Sequence, residues 1–334
     1  MEAKPQGGPL HLRRWPKWID AYMASRNGKK VELTAFQQNL LLSACPSGAT
    51  VVSAAYFRLE YLPAPVRVVV SLPNGGAQTL VLRLANHGPV EEEARLLPYL
   101  EQMGVPVPSV LAGPARDPGS PDAPAVAVYS FLPGRNLQEL AESSVEGCRL
   151  AMALVVDGAA AMASLTPRLQ QKPQLDFLRT ITLSDKLAGL VQTGDPWLRE
   201  AVFIHAVATL RPVLHEVADS PVFTGGDYQP ANFLTDGKRL SGFVDFETAC
   251  YQDFLFGFAK YPIYDLHPMN KAGFVPFLLE RRGVSRRDFD IRVALGCLAT
   301  LQREIPVSGG DTTYRAHVLT LLEQALTTIQ SGKG

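Results

Sequence analysis

The chain has 334 residues, a hydrophobic fraction of 46% and a formal net charge of zero at pH 7. This length and apolar content predict a globular protein with one large or two smaller domains and a sizeable core. A balanced charge gives no support for a general attraction to nucleic acid or to a membrane, so we expect neither as a partner.

Cysteine spacing and the N-terminal sequence favour a cytoplasmic protein. Four cysteines lie far apart, without a CxxC or Cys/His pairing: Cys45, Cys148, Cys250 and Cys297. This spacing predicts reduced thiols rather than disulfides or zinc ligands. The first residues lack the apolar core of a signal peptide. The most apolar helix candidate, residues 150–165, is interrupted by Asp157 and Gly158, and we expect it to be too short to cross a bilayer.

Residues 1–49 are predicted to form an N-terminal helical extension. Trp15 and Trp18 lie in a short basic and aromatic segment, which we interpret as a helix packed on the neighbouring domain; a membrane or partner anchor is the alternative. Thr34 is typical of a helix N-cap. Phe36 and Leu40 then give the helix that follows an apolar face.

From residue 50 the pattern changes to β-strands, rich in β-branched residues. We predict strands over residues 51–61, 66–72, 79–85 and 125–131. Asn74-Gly75-Gly76 predicts a hairpin between the second and third of these strands. Pro89 and the three glutamates after it predict the start of an amphipathic helix.

The second half of the chain is predicted to be mostly helical from its apolar spacing. The predicted helices cover residues 145–165, 174–190, 196–218, 270–282, 286–304 and 311–330. A short apolar segment, Val222-Phe223-Thr224, separates the third helix from the stretch described next.

The stretch from Asp227 to Asp245 carries the pattern that phosphoryl transfer requires. Asn232 follows Asp227 after four residues, and an apolar pair, a turn and an apolar strand then lead to Asp245. In such a site one carboxylate accepts the proton of an incoming hydroxyl, while an amide oxygen and a second carboxylate hold Mg²⁺ on the nucleotide phosphates. Asp236-Gly237 predicts a hairpin that brings Asp245 back beside Asn232. Each residue alone is more typical of a turn, so the prediction rests on their joint spacing.

This stretch, with Val244-Asp245-Phe246-Glu247 at its end, resembles the aminoglycoside phosphotransferase and choline kinase family of small-molecule kinases. The resemblance implies an α+β, two-lobed protein-kinase-like fold, with a small antiparallel-sheet lobe over residues 50–132 and a helical lobe over residues 133–334. It implies ATP or GTP as phosphate donor, Mg²⁺ as cofactor and a hydroxyl of an antibiotic or metabolite as acceptor. We expect a monomer or a homodimer.

The resemblance also implies roles for residues in the small lobe. Arg83 occupies the position of the strand lysine that contacts the nucleotide phosphates, and Glu93 matches the acid that pairs with it. The alternative is that Glu93 and its two acidic neighbours merely favour the N-terminus of their helix. The Ser130 carbonyl and the Leu132 amide are expected to contact the nucleotide base through the backbone.

Several departures from the family pattern leave an alternative open. Gly225 replaces the usual histidine two residues before Asp227, and Arg83 replaces lysine. The loop expected to cover the triphosphate, near residues 61–65, contains no glycine, and the second acid usually found after Asp253 is missing. The alternative is a nucleotide-binding regulator that has lost catalysis. The complete Asp/Asn/Asp set favours the enzyme.

The identity of the acceptor is not specified by the sequence. The C-terminal region carries a group of basic residues: Arg281, Arg282, Arg286, Arg287 and Arg292. We interpret them as a solvated helix junction, and they give no support for a dedicated polyamine site. An aromatic and polar stretch is considered as a lining of the acceptor pocket, with the edge of an aromatic core as the alternative: Tyr261, Tyr264, Asp265 and His267.

Overall fold

The computed structural model describes residues 28–57, 65–84, 89–120, 122–194, 196–217, 220–303 and 312–332. Two sequence predictions lie outside the described residues. These are the helix around Trp15 and Trp18 and all but the last residue of the predicted phosphate-covering loop.

A five-stranded antiparallel sheet forms the first layer of the described chain, in the order β1-β2-β3-β5-β4. Its strands are β1 (Thr50–Tyr56), β2 (Val66–Ser71), β3 (Ala77–Leu84), β4 (Val110–Ala115) and β5 (Val126–Ser130). Alternating residues of β2, Val66, Val68 and Val70, are buried on one face, because side chains of a strand point alternately to its two faces. Helix α1 (Ala35–Ser43) covers that face and begins at the predicted cap, Thr34.

The opposite face of the sheet is covered by helix α2 (Val90–Gln102). Strand β5 alternates accordingly: Val126 and Val128 belong to the cluster under α1, whereas Ala127 and Tyr129 belong to the larger cluster that includes α2. The strands β3 and β5 lie inside the sheet and are covered on both faces. Polar side chains of these strands that point toward α2 are therefore held in place by the packing around them.

The second layer is helical. Its helices are α3 (Leu137–Ser143), α4 (Val145–Ala163), α5 (Thr166–Gln170), α6 (Leu183–Gln192), α7 (Ala201–Val213), α8 (Lys260–Ile263), α9 (Phe274–Arg282), α10 (Arg286–Arg303) and α11 (Thr312–Ser331). Two small sheets lie among them, one in the order β10-β9-β6 and one in the order β7-β11-β8. Their strands are β6 (Arg135–Asn136), β7 (Thr180–Ile181), β8 (Val222–Thr224), β9 (Phe233–Thr235), β10 (Leu240–Phe243) and β11 (Cys250–Gln252). The predicted α+β class is confirmed.

The prediction of one helix over residues 174–190 is wrong. Thr180 pairs with Tyr251 of β11 in a short parallel ladder, so its backbone hydrogen bonds go to a strand. The helix starts only after Thr182, whose side chain accepts a hydrogen bond from Asp185 N while the Asp185 side chain accepts one from Thr182 N. This reciprocal cap fixes the helix start. The helix predicted over residues 196–218 is likewise shorter, because a 3₁₀ turn precedes α7.

One helical segment of the described chain, Val145–Gln170, is long and apolar enough by length and composition to cross a membrane, with 26 residues and a mean hydropathy of 1.5. The segment extends beyond the candidate of residues 150–165 at both ends, so the apolar helical stretch is longer than expected. Half of its apolar window is buried inside the protein, and Val155 and Ala159 are fully buried in the main core. The segment packs as a core helix.

Candidate active site

The hairpin predicted at Asp236-Gly237 is formed by β9 and β10. Phe233 pairs with Phe243 in its ladder, and beside this pair Val244 N donates to the Asn232 carbonyl at 3.0 Å. Asn232 and the residue after Val244, Asp245, are therefore neighbours although they are distant in sequence.

Asp227 lies on the same side of the hairpin. Asn232 Nδ2 donates to the Asp227 carbonyl at 3.4 Å, which turns the amide nitrogen toward the loop. The Asp227 carboxylate is about one-quarter exposed, at 28% of its side-chain surface. Asp227 also lines a small cavity beneath the loop, together with Asn232 and Phe246. The structure thus brings together the three residues that the sequence singles out.

Asp227 Oδ1 is held by two donors. Gln229 N donates to it at 2.9 Å in a local turn, and the ammonium of Lys260 forms an ion pair with it. Lys260 was missed by the sequence analysis, because it lies in an apolar stretch after Phe258 with no motif of its own.

Asp245 adopts a backbone conformation that is rare for a residue with a side chain, with φ at 70°. Residues held in such conformations are over-determined by their surroundings and cluster at functional sites. Here the surroundings are the hydrogen bond from Val244 N and an ion pair between Asp245 and Arg83. The Asp245 carboxylate is 36% exposed, which leaves it accessible to solvent.

Arg83 is the centre of a buried charge cluster. Its Nε donates to Glu93 Oε2 at 2.8 Å, its Nη2 pairs with Asp245 Oδ1, and the same Nη2 lies 3.5 Å from Glu247 Oε2. Arg83, Glu93 and Glu247 are all buried. Burial lowers the pKa of Arg83, but the attraction of the three carboxylates outweighs it and raises the pKa overall. The guanidinium is therefore permanently charged.

Glu93 of α2 connects three other elements to this cluster. Besides Arg83 of β3, its carboxylate accepts a hydrogen bond from Tyr129 Oη of β5 at 3.3 Å. It also accepts one from the backbone N of Phe246 at 2.8 Å, in the segment after the hairpin. Burial, followed by the charge of Glu93, raises the pKa of Tyr129, so its hydroxyl stays a donor. The sheet layer and the hairpin are thereby joined through one side chain of α2.

The loop before Asp227 is braced without the family histidine. Thr224 Oγ1 accepts hydrogen bonds from Gly226 N at 3.0 Å and from Gln252 Nε2 at 3.1 Å. Thr224 and Gln252 are buried. Gly226 has a φ of 88°, and a Cβ there would overlap the Thr248 carbonyl, so the loop requires glycine at this position. Support for the loop thus comes from β8 and β11 instead of residue 225.

The structure also shows what fills the space where the second acid after Asp253 would lie. The residue at its place, Gly257, packs against Tyr228, and a Cβ on Gly257 would lie 2.5 Å from the Tyr228 ring. Tyr228 is buried, with its ring 4.7 Å from that of Phe258. The space of an acidic side chain is therefore filled by the residue that follows Asp227.

Four of the five arginines named in the C-terminal region form ion pairs, and Arg282 lies over the Phe254 ring at 4.6 Å. Arg292 forms a buried pair with both oxygens of Asp253, at 2.6 and 3.0 Å, and this pair anchors α10 to the segment after β11. Three more pairs join helices or helical turns: Arg281–Asp157, Arg286–Asp290 and Arg287–Glu216.

Tyr261 is a core residue. It is fully buried, its hydroxyl donates to the Tyr228 carbonyl at 2.9 Å, and its ring stacks on Phe274 at 3.8 Å. The idea that it lines an acceptor pocket is wrong, and the aromatic-core alternative holds for it.

The connection between the two layers lies against the hairpin. Ser130 N donates to Ser109 O at 2.9 Å, and Ser130 Oγ accepts from Ser109 N at 2.8 Å, so these groups are used within the sheet. Leu132 packs on Gly242 of β10, where a Cβ would lie 2.8 Å from Leu132 Cδ1.

A sequence model of the phosphotransferase enzyme family matches residues 67–269, more than half of the chain. The chain belongs to the phosphotransferase enzyme family. The family predicted from the Asp227–Asp245 stretch is confirmed. A comparison with curated proteins found no match.

Solved structures of this family share the fold. A thermostable mutant of aminoglycoside phosphotransferase APH(4)-Ia, in a ternary complex with ADP and hygromycin B, is 15% identical with a TM-score of 0.62, over 89% of this chain and 99% of the other. The GDP and kanamycin complex of APH(2")-IIIa is 17% identical with a TM-score of 0.59, over 88% and 99%. The kinase-like fold is confirmed.

Removing the guanidinium of Arg83 should destabilise the protein strongly. In Arg83→Met, the buried carboxylates of Glu93 and Glu247 lose their shared cation, and we expect a loss of about 3–5 kcal/mol in the free energy of unfolding. Arg116→Met is the matched control. Arg116 pairs at 2.7 Å with Glu91 of α2, the helix that also carries Glu93, but the Arg116 side chain is 54% exposed. Such a surface pair contributes about 0–1 kcal/mol. Urea denaturation measures both, and equal losses would contradict the buried-cluster interpretation.

Replacing Thr224 with valine should loosen the loop before Asp227. The change leaves Gly226 N without its acceptor and Gln252 Nε2 with only its longer contact to the Gly226 carbonyl at 3.5 Å, at a cost of about 1–3 kcal/mol. We expect turnover per folded molecule to fall as well, since the loop carries Asp227.

Thr235→Val is the control for this variant. Thr235 is equally buried and accepts from Gly237 N at 3.0 Å, but it lies toward the far end of the hairpin. It should lose comparable stability and keep its turnover. A Thr224→Val enzyme with unchanged turnover would argue against the brace.

Proposed function

We propose that the protein transfers the γ-phosphate of ATP or GTP to a hydroxyl of a small molecule. The observation that supports the proposal is the close placement of Asp227, Asn232 and Asp245 in the fold. The backbone carbonyl of Asn232 accepts a hydrogen bond from Val244 N at 3.0 Å, next to Asp245, and the Asn232 side chain donates to the backbone carbonyl of Asp227 at 3.4 Å. Family membership and the nucleotides named for the structural neighbours, ADP and GDP, support the same reaction.

The donor set around Asn232 and Asp245 fits Mg²⁺. Magnesium prefers oxygen ligands and is usually bound by one or two carboxylates together with substrate phosphates. The Asn232 amide nitrogen faces the Asp227 carbonyl, which leaves the amide oxygen for a cation. The cluster around Arg83 sets one positive charge against the carboxylates of Glu93, Asp245 and Glu247. Its surplus negative charge is most exposed at Asp245 and favours a divalent cation there.

In this proposal Asp227 is the general base, and Asn232 and Asp245 are the metal ligands. When bound, Mg²⁺ neutralises the charge that develops on the transferred phosphoryl group. Asp227 accepts the proton of the acceptor hydroxyl. Because Oδ1 is engaged by Gln229 N and Lys260, the oxygen that takes the proton is Oδ2. Rigid positioning and fixed charge supply most of the catalysis in such a site.

Nucleotide binding is assigned to the sheet layer. Arg83, oriented by Glu93, contacts the phosphates, and the backbone of Ser130 and Leu132 contacts the base. We retain the division into an extension of residues 1–49, a nucleotide-binding lobe of residues 50–132 and an acceptor-binding lobe of residues 133–334. The four cysteines are free thiols, which supports a reducing, cytoplasmic location.

A nucleotide-binding regulator is the second candidate. The observation that favours it is the engagement of Arg83 by three carboxylates, which leaves less of the guanidinium for phosphate. A regulator would bind Mg·ATP and shift the thermal midpoint without consuming nucleotide on any acceptor.

Replacing Asp227 with asparagine should separate chemistry from binding. Loss of the base is expected to lower kcat by about 10²–10⁴-fold, whereas the affinity for Mg·ATP should stay close to that of the wild type, because Asp227 is not assigned to the nucleotide. Turnover is measured as ADP formation with a panel of hydroxylated metabolites, and affinity by thermal shift. Asp176→Asn, at an exposed carboxylate, is the control. Normal turnover of Asp227→Asn would refute the assignment of the base.

Replacing Asp245 with asparagine should raise the Mg²⁺ requirement of nucleotide binding. The variant keeps the shape of the side chain and removes a ligand charge, so we expect the half-saturating Mg²⁺ concentration to rise at least about tenfold. Calorimetric titration of ATP at several Mg²⁺ concentrations measures it without relying on activity. Glu247→Gln is the control, because Glu247 contacts the same guanidinium nitrogen but is buried; an equal rise in both variants would argue against a metal at Asp245.

A further inference from the structure

Lys260 is a cation placed at the site of chemistry. Its ammonium pairs with Oδ1 of Asp227, and its side chain is 19% exposed beside an Asp227 carboxylate that is 28% exposed. In the described part of the chain, no donor contacts Oδ2 of Asp227. An acceptor hydroxyl that reaches Oδ2 must therefore lie next to the Lys260 ammonium.

The position of Lys260 is fixed by the core. Its neighbours Ala259 and Tyr261 are buried. Tyr261 is held by its hydrogen bond to the Tyr228 carbonyl and by its stack on Phe274, and Tyr228 directly follows Asp227. The backbone of Lys260 and the base are thus carried by two segments that are bonded to each other, which keeps the ammonium within reach of the carboxylate.

The charges around Lys260 do not favour a cationic acceptor. The ammonium also lies 5.9 Å from the Tyr264 ring centre. The next acid along its segment, Asp265, is engaged by Asn270 Nδ2 at 2.8 Å, and Asp227 itself is already paired. A cation entering here would meet the Lys260 ammonium directly beside the base, and Asp227 is already paired, whereas an anionic group would gain a charge-assisted contact with Lys260.

The geometry points to an acceptor that carries a carboxylate or phosphate group close to the hydroxyl that is phosphorylated, with Lys260 as the residue that binds this anionic group. This inference rests on the proposed kinase activity and narrows its acceptor to anionic hydroxylated compounds. When the anion arrives, the ammonium is shared between it and Asp227 Oδ1, and Oδ2 remains directed to the hydroxyl.

A fractionated metabolite extract tests the charge of the acceptor directly. A protein-free aqueous extract is separated by ion exchange into anionic, neutral and cationic pools. Each pool is incubated with the full-length protein, Mg²⁺ and, in parallel, ATP or GTP labelled in the γ-phosphate, with Asp227→Asn as the blank. We expect label to appear in new compounds in the anionic pool.

The outcomes separate the inference from the function on which it rests. Label confined to the neutral or cationic pool contradicts the proposal of an anionic acceptor but supports the proposed kinase activity. Label in no pool contradicts the proposed kinase activity and, with it, the proposal of an anionic acceptor.

Variants of Lys260 test its role on the acceptor found in this way. Lys260→Met keeps the apolar stem and removes the charge, so KM for an anionic acceptor should rise about tenfold or more, as expected for one lost charge-assisted contact. KM for Mg·ATP should change little, and Lys260→Arg should recover part of the loss. Lys238→Met, at an exposed lysine of the hairpin turn, should match the wild type. A change confined to kcat would show that Lys260 acts on the base or the phosphoryl group, and would overturn its assignment to the acceptor.

Discussion

The site depends on one buried guanidinium. Arg83 is the shared cation of three carboxylates that come from α2 and from the segment after the hairpin, and no two of these carboxylates are adjacent in sequence. Without a cation, desolvated carboxylates repel one another and each costs several kcal/mol. The cluster therefore holds the sheet layer and the hairpin at a fixed distance, and it sets the position of Asp245 beside Asn232.

Arginine suits this position better than lysine would. A lysine ammonium is a compact charge on a flexible stem, whereas the guanidinium presents separate N–H groups in a rigid plane. Nε serves Glu93 while Nη2 serves Asp245 and Glu247. The arginine is thus matched to a surrounding of three carboxylates, and it ties Asp245, the most exposed of the three acids, into the same network as the α2 helix.

The fold class could be predicted from the family resemblance, and the approach of Asp245 to Asn232 could be predicted because it follows a local rule. An Asp-Gly turn between apolar runs fixes a hairpin, and a hairpin returns one strand end to the other. Lys260 and the Thr224–Gln252 brace could not be predicted, because each joins segments that meet only through tertiary packing. The prediction of a helix over residues 174–190 was wrong for the same reason. The apolar spacing there suits a helix, but residues 180–181 pair with strand β11 in the folded protein.

The contact between Gly257 and Tyr228 couples the permitted sizes of the side chains at these two positions. The closeness of the ring leaves no room for even a methyl group at residue 257, so an acidic residue there is compatible only with a smaller side chain at residue 228. Replacing Gly257 alone would cause a steric clash with the Tyr228 ring, and replacing Tyr228 alone with a smaller residue would leave a cavity. Related chains should therefore fall into two discrete groups at these positions, and grafting either residue singly between the groups should fail.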